Sequence, residues 1–235
     1  MFKSLGIGVL ILALTACGAP RARHGTPAGP QPPPPAARPP AAPPGAGLPG
    51  TVDYKVDEAQ SELRILVFRA GPLARFGHNH VMVNRTIHGA VSVAEAAGPT
   101  AFRLSIPAAG FVVDDADARA QEGADFAAAV PDDARAGTLH NMLSDAVLDA
   151  AEFPSIEIKS VRISAATATI TVGVAGHEST IEVPFDLKSE PRTLSASGTV
   201  DLRQTDLGLT PYSLMLGALQ VQDSMTIKFK IVASL

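Results

Sequence analysis

The chain holds one cysteine, Cys17. No intrachain disulfide can form and no paired thiols are available for a zinc site, so stability has to come from an apolar core. Long apolar runs are missing as well. The longest near the N-terminus, Leu5 to Leu14, is about half of the roughly 20 residues that cross a bilayer. Clustered bases are absent too: residues 1–50 carry four of the 19 basic residues and none of the 23 acidic ones, which leaves the rest of the chain at a net −8. Such a surface lacks the Lys and Arg patches that neutralise phosphates, and it excludes nucleic acid as the expected partner. There is no Gly-x-Ser-x-Gly elbow, no His-Glu-x-x-His and no phosphate-cradling glycine loop between strand and helix, so the chain is not expected to be an enzyme. The acidic series Asp114, Asp115, Asp117, Glu122, Asp125, Asp132 and Asp133 lacks the spacing of an EF-hand and reads as a solvated loop.

What is present begins with Lys3, a short apolar run and Leu14-Thr15-Ala16-Cys17. Small residues before a cysteine at the exit of a secretory h-region place the thiol for acylation and for cleavage on its N-terminal side. Residues 1–16 are therefore expected to be a signal peptide and Cys17 the lipidation site. Gly18, where an aspartate would favour inner-membrane retention, points to a periplasmic protein anchored in the outer membrane rather than the inner. Residues 17–50 then form a tether. Residues 18–50 hold 12 of the 20 prolines, with Pro32 to Pro35 unbroken, and cannot build a core. At about 3.1 Å per residue this extended segment would reach on the order of 100 Å. Arg21, Arg23 and Arg38 punctuate it.

Residues 51–235 read as one all-β domain. Met225, Ile227, Phe229 and Ile231 alternate with Thr226, Lys228 and Lys230, and Ile181, Val183, Phe185 and Leu187 alternate with Thr180, Glu182, Asp186 and Lys188, as half-buried strands do. Further candidates at 63–68, 81–93, 101–106, 156–163, 168–174 and 194–202 bring the count to about eight. A parity change near Ser160 predicts a bulge. Eight antiparallel strands rolled into a barrel remove their own edges and can enclose one small ligand, with an open sandwich as the competitor. Between Pro107 and Pro154, Leu139, Met142, Leu143, Ala146 and Val147 follow helical spacing, which predicts a helix capping the barrel. A second excursion brings Tyr212, Met215, Leu216 and Leu219 to another rim.

Four segments in order, Tyr54-Lys55-Val56-Asp57 with Ser61-Glu62-Leu63, Thr138-Leu139-His140-Asn141-Met142-Leu143, Asp149-Ala150-Ala151-Glu152-Phe153-Pro154-Ser155-Ile156 and Arg203-Gln204-Thr205-Asp206-Leu207-Gly208-Leu209, resemble the YceI-like family of bacterial periplasmic proteins. The likeness spans residues 52–233. It implies a lipocalin-like antiparallel barrel holding a long polyisoprenoid or other amphiphilic chain. Two departures bear on that ligand: Ala146-Val147-Leu148 stands where many members carry paired phenylalanines, and Arg75-Phe76-Gly77-His78-Asn79-His80 is richer in imidazole than the usual hairpin.

The ligand expected is a hydrophobic small molecule, with no cofactor beyond a bound isoprenoid or fatty amphiphile. Its candidate contacts are Met142, Val183, Phe185, Tyr212, Ile227 and Phe229 on the walls, with His78 and His80 at the headgroup. The same apolar faces are compatible with a barrel filled solid and serving only structure or interaction. The alternative for His78 and His80 is zinc or copper, since residues two apart on a strand share a face; a third ligand would have to come from His88, His140 or His177.

Overall fold

The computed structural model describes residues 50–94 and 98–235. The expected signal peptide, Cys17 and the tether up to residue 49 lie outside them. The first strands are β1 (Thr51–Val56), β2 (Glu62–Ala70), β3 (His80–Asn84), β4 (His88–Ala94), β5 (Gly98–Pro107) and β6 (Phe111–Val113). Two helices follow, α1 (Ala116–Ala120) and α2 (Asp132–Leu143). The chain then returns to strands with β7 (Ser155–Ile163), β8 (Thr167–Val174), β9 (His177–Pro184), β10 (Asp186–Glu190) and β11 (Thr193–Arg203), and ends with β12 (Ser213–Leu214) and β13 (Leu219–Ser234). Among the described residues no helix is long and apolar enough to cross a membrane.

All thirteen strands join one antiparallel sheet, with the order β6-β3-β2-β13-β1-β4-β5-β7-β8-β9. The long β13 organises it. One edge of β13 pairs with β2 and then with β1, and the other pairs with β11, which in turn holds β10. Where β1 hands over to β2, buried Ser61 replaces a ladder partner: its Oγ accepts from the Val232 amide at 3.0 Å and donates to the Val232 carbonyl at 3.3 Å.

The all-β, lipocalin-like architecture is as expected, but eight strands closed into a ring is not what forms. Among the described residues no ladder joins β9 to β11, and the hydrogen-bonded path stays open. The predicted strand through Ile181 and Leu187 breaks at Pro184, which has no N–H to give. The chain instead runs from β9 through Phe185 directly into β10, so covalent continuity links β9 to the β10–β11 branch that hangs on β13. Close approach needs Gly198 on β11, where an added Cβ would stand 2.4 Å from the Pro184 carbonyl oxygen.

Two other expectations shift for local reasons and a third holds. The single strand over 81–93 divides because the Asn84 side chain accepts from the Thr86 amide at 2.8 Å and donates to the Pro107 carbonyl at 2.8 Å, turning the chain out of β3. The helix stops at Leu143, where Ser144 leaves helical ψ and its hydroxyl donates to the Asn141 carbonyl at 2.7 Å; Ala146 and Val147 fall in the following turn. The bulge at Ser160 is present, as a register shift between Ser160 and Arg162 that turns Val161 outward, 62% exposed.

Side chains inside the barrel and outside it form separate cores. On the outer face of β2 and β3, Leu66, Val81 and Val83 pack under Ala118 and Phe126, with Phe68 set edge-on to Phe126 at 5.6 Å. The acidic segment 114–125 closes this layer and is only partly solvated. Asp114 and Glu122 have buried side chains, correcting the reading of that whole series as a solvated loop. Glu122 is held by Arg64 at 3.1 Å and by Lys228.

Candidate functional site

Inward-facing positions of the strands enclose a cavity of about 330 Å³. Period-2 alternation puts Ala168, Ile170, Val172 and Val174 of β8 on its wall, and Met225, Ile227, Phe229 and Ile231 of β13 across from them. Ile65, Val67, Ile227 and Phe229 belong to the interior yet are only partly buried, because they border open volume rather than opposing side chains. Of the expected contacts, Met142, Val183, Phe185, Tyr212, Ile227 and Phe229 all line this one cavity. Val147 and Leu148, although beyond the helix, line it too.

The lining among the described residues includes four polar side chains, Thr138, Asn141, Gln204 and Tyr212. They gather at one end. Thr138 and Asn141 lie one turn apart on α2, and Thr138 Oγ1 is 3.3 Å from His80 Nε2 at the start of β3. His80 pairs across to Val67, which on its other side faces Met225. Two further contacts tie the remaining pair to the same strand ends: Gln204 Nε2 donates to the Gln222 carbonyl at 2.7 Å, and the Tyr212 carbonyl accepts from the Val221 amide at 2.9 Å. The opposite end is apolar, bordered by Val91, Pro99, Ile163, Leu187 and Leu194. The cavity therefore has a polar end under α2 and an apolar end opposite, the arrangement an amphiphile requires.

His78 and His80 stand beside this polar end and are not part of the cavity lining. Their rings meet edge-on at 6.0 Å. Burial, followed by the charges of His80 and Arg119, pushes the His78 imidazole below its ordinary value. His80 Nδ1 is 2.7 Å from Asp114 Oδ2, and Asp114 Oδ1 accepts from Arg119 at 2.6 Å and from the Val81 amide at 2.9 Å. Burial alone would raise the Asp114 carboxyl. The hydrogen bonds from His80 and Val81, with the charges of His80 and Arg119, outweigh it and hold Asp114 below the ordinary carboxylate value. The chain Asp114–His80–Thr138 thus fixes one polar wall residue from behind. His88 is taken up by Glu58 at 2.9 Å, while His140 and His177 are exposed. Among the described residues no group of three His, Cys, Asp or Glu side chains is placed to hold a metal ion.

Sequence reasoning did not single out Asn141, Gln204 or Asp114. Asn141 and Gln204 fall inside the segments that carried the family resemblance, which was the available signal; Asp114 had none, since its partners His80 and Arg119 come together only through folding.

Comparison with known proteins follows the same lines. No curated protein matches the chain. Among solved structures it superposes on BcnA of Burkholderia cenocepacia with a TM-score of 0.55 and 16% identity, over 76% of this chain and 99% of that one. It also superposes on a polyisoprenoid binding domain from Saccharophagus degradans, implicated in plant cell wall breakdown, with a TM-score of 0.51 and 10% identity, over 77% of this chain and 97% of that one. At those identities the likeness is one of fold. The profile of the YceI-like domain matches residues 54–233, nearly the whole of the described structure, and the chain belongs to the YceI-like family.

Proposed function

We propose that this protein is a carrier that holds one long, apolar amphiphile of the polyisoprenoid type in the barrel, and that it works in the periplasm, anchored to the outer membrane through an acylated Cys17. The observation that carries the reading is the cavity of about 330 Å³, walled by aliphatic and aromatic side chains and polar at one end only. Hydrocarbon is stabilised by about 0.8 kcal/mol per CH₂ removed from water, so ten buried methylenes supply about 8 kcal/mol of gross driving force. Among the described residues the lining holds no carboxylate, imidazole or ammonium group, which supports holding a ligand over transforming it. The polyisoprenoid binding of the structurally similar Saccharophagus domain supports the choice of ligand class. In this reading the headgroup meets Tyr212, Asn141 and Thr138, His80 acts through Thr138, and the tail runs toward Leu187 and Leu194.

Protein purified from its native host and extracted with organic solvent should yield an amphiphile at about one molecule per chain by mass spectrometry. An empty extract from protein that never met detergent contradicts the carrier reading. Cys17→Ser should make the protein extractable from membranes by a high-salt wash; a variant still processed and resistant to that wash would end the anchor part of the proposal.

A further inference from the structure

Of the nine exposed large hydrophobic side chains among the described residues, four gather at one place. Phe76 lies in the loop between β2 and β3, and Leu214, Met215 and Leu216 run from the end of β12 into the adjoining loop before β13. Met215 is 71% exposed, Leu216 fully, and Phe76 64%. Met215 (φ 52°) and Leu216 (φ 57°) both occupy the left-handed region, which disfavours any residue with a bulky Cβ substituent. Side chains held out into solvent in this conformation bury little apolar surface within the fold to offset the backbone strain. The loops are pressed together: Leu73 donates to the Ala218 carbonyl at 2.8 Å, and Gly71 (φ 87°) passes so close that an added Cβ would lie 2.6 Å from the same oxygen.

We propose that this tip is a membrane-docking device that seats the polar end of the cavity on an anionic bilayer surface. The inference rests on the carrier reading for its purpose, and three features commit it to a bilayer. The first is continuity: Tyr212 and Val221, which flank the tip on either side, both line the cavity, so a chain leaving the bilayer at the tip meets the cavity lining within one loop. Charge is the second. Although the chain outside residues 1–50 is net acidic, Arg75 lies over the Phe76 ring at 4.5 Å and forms no ion pair among the described residues, and the Arg69 guanidinium donates to the Gly77 carbonyl and faces no carboxylate in an ion pair among them. Cations beside inserted apolar side chains suit lipid phosphates. The third is size, since four side chains on loop tips fall far short of the roughly 1,200–2,000 Å² that a stable dimer buries.

The test uses full-length Cys17→Ser chains that also carry Leu216→Cys or, as the reference, Val161→Cys on the β7 bulge. Each is labelled with nitrobenzoxadiazole and mixed with phosphatidylethanolamine/phosphatidylglycerol vesicles. The label at position 216 should shift to the blue and be quenched by bilayer-embedded nitroxide, while the label at 161 stays water-like. Arg75→Gln should weaken the response about five-fold on these vesicles and leave it unchanged on phosphatidylcholine alone. A label at 216 that remains as water-like as the one at 161 overturns the proposal. So does a blue shift that needs no vesicles and grows with protein concentration, which would identify a second copy as the partner. Solvent extraction of the same protein separates the two ideas: bound amphiphile without docking refutes this inference alone, and docking without amphiphile refutes the carrier reading alone.

Discussion

On β2 and β3 the inward residues Leu63, Ile65, Val67 and Met82 border an open cavity, whereas the outward residues Leu66, Val81 and Val83 are sealed beneath Ala118 and Phe126. These outward residues are as apolar as the inward ones and differ in what stands opposite, although Glu62 and Arg64 share their face of β2. Outside, a short helix, an aromatic pair and the buried carboxylates of Asp114 and Glu122 fill the space. Inside, the facing strands are held apart by the curvature of the sheet. Hydrophobicity on one face builds a packed core; on the other it builds a container.

The largest expected effect tests that division directly. Phe126→Ala removes a ring packed on all sides and should lower stability by about 4 kcal/mol, whereas Phe229→Ala, whose ring faces open volume, should cost about half as much. Denaturant titration of both variants checks the ratio, and equal losses would mean that the interior is as tightly filled as the exterior.

Much of this architecture was legible because strand period and burial coincide in β8, where Thr alternates with Ala, Ile and Val, and because apolar and polar residues alternate along much of β13. The bulge at Ser160 was readable for the same reason, since a parity change has few other causes. Division of strands at Asn84 and Pro184 was not, because each depends on a side chain or a missing donor acting on residues that otherwise alternate without interruption. Val183, Phe185, Ile227 and Phe229 were named from strand parity, Met142 from helical spacing and Tyr212 from its place in a rim excursion, while the family resemblance decided for a cavity over a solid core. The polar end escaped, because Asn141 and Gln204 carry no pattern, and the burial of Asp114 depends on Arg119 and His80 arriving from different parts of the chain.

Asp114→Ala should be next in size. It strands the Arg119 guanidinium and the Val81 amide in the outer core and should cost about 3 kcal/mol, read as a shift in denaturation midpoint. A pair of insertions sharpens the contrast further. Ala118→Phe, at a fully buried outer position, should cost about 3 kcal/mol by overpacking, while Ala196→Phe, which points into the cavity, should change stability by less than about 1 kcal/mol. The smallest effect is in pH dependence. Because the folded Asp114 carboxyl titrates below its ordinary 3.8, its contribution is complete above that value and is lost as the pH falls through the lower folded value. The stability difference between the wild type and Asp114→Asn should therefore narrow only in strong acid, and a difference that fades already near neutrality would show that Asp114 is not the ionised partner of Arg119.

The central claim is that the barrel interior is a ligand site and not a loosely packed core, and the most direct measurement is titration of a fluorescent polyisoprenoid into the wild type and Ala196→Phe. The account predicts saturation at about one ligand per chain for the wild type, and binding weakened at least about ten-fold in a variant that unfolds at the same denaturant concentration. Equal affinity in the two proteins, or no binding by either, would contradict it.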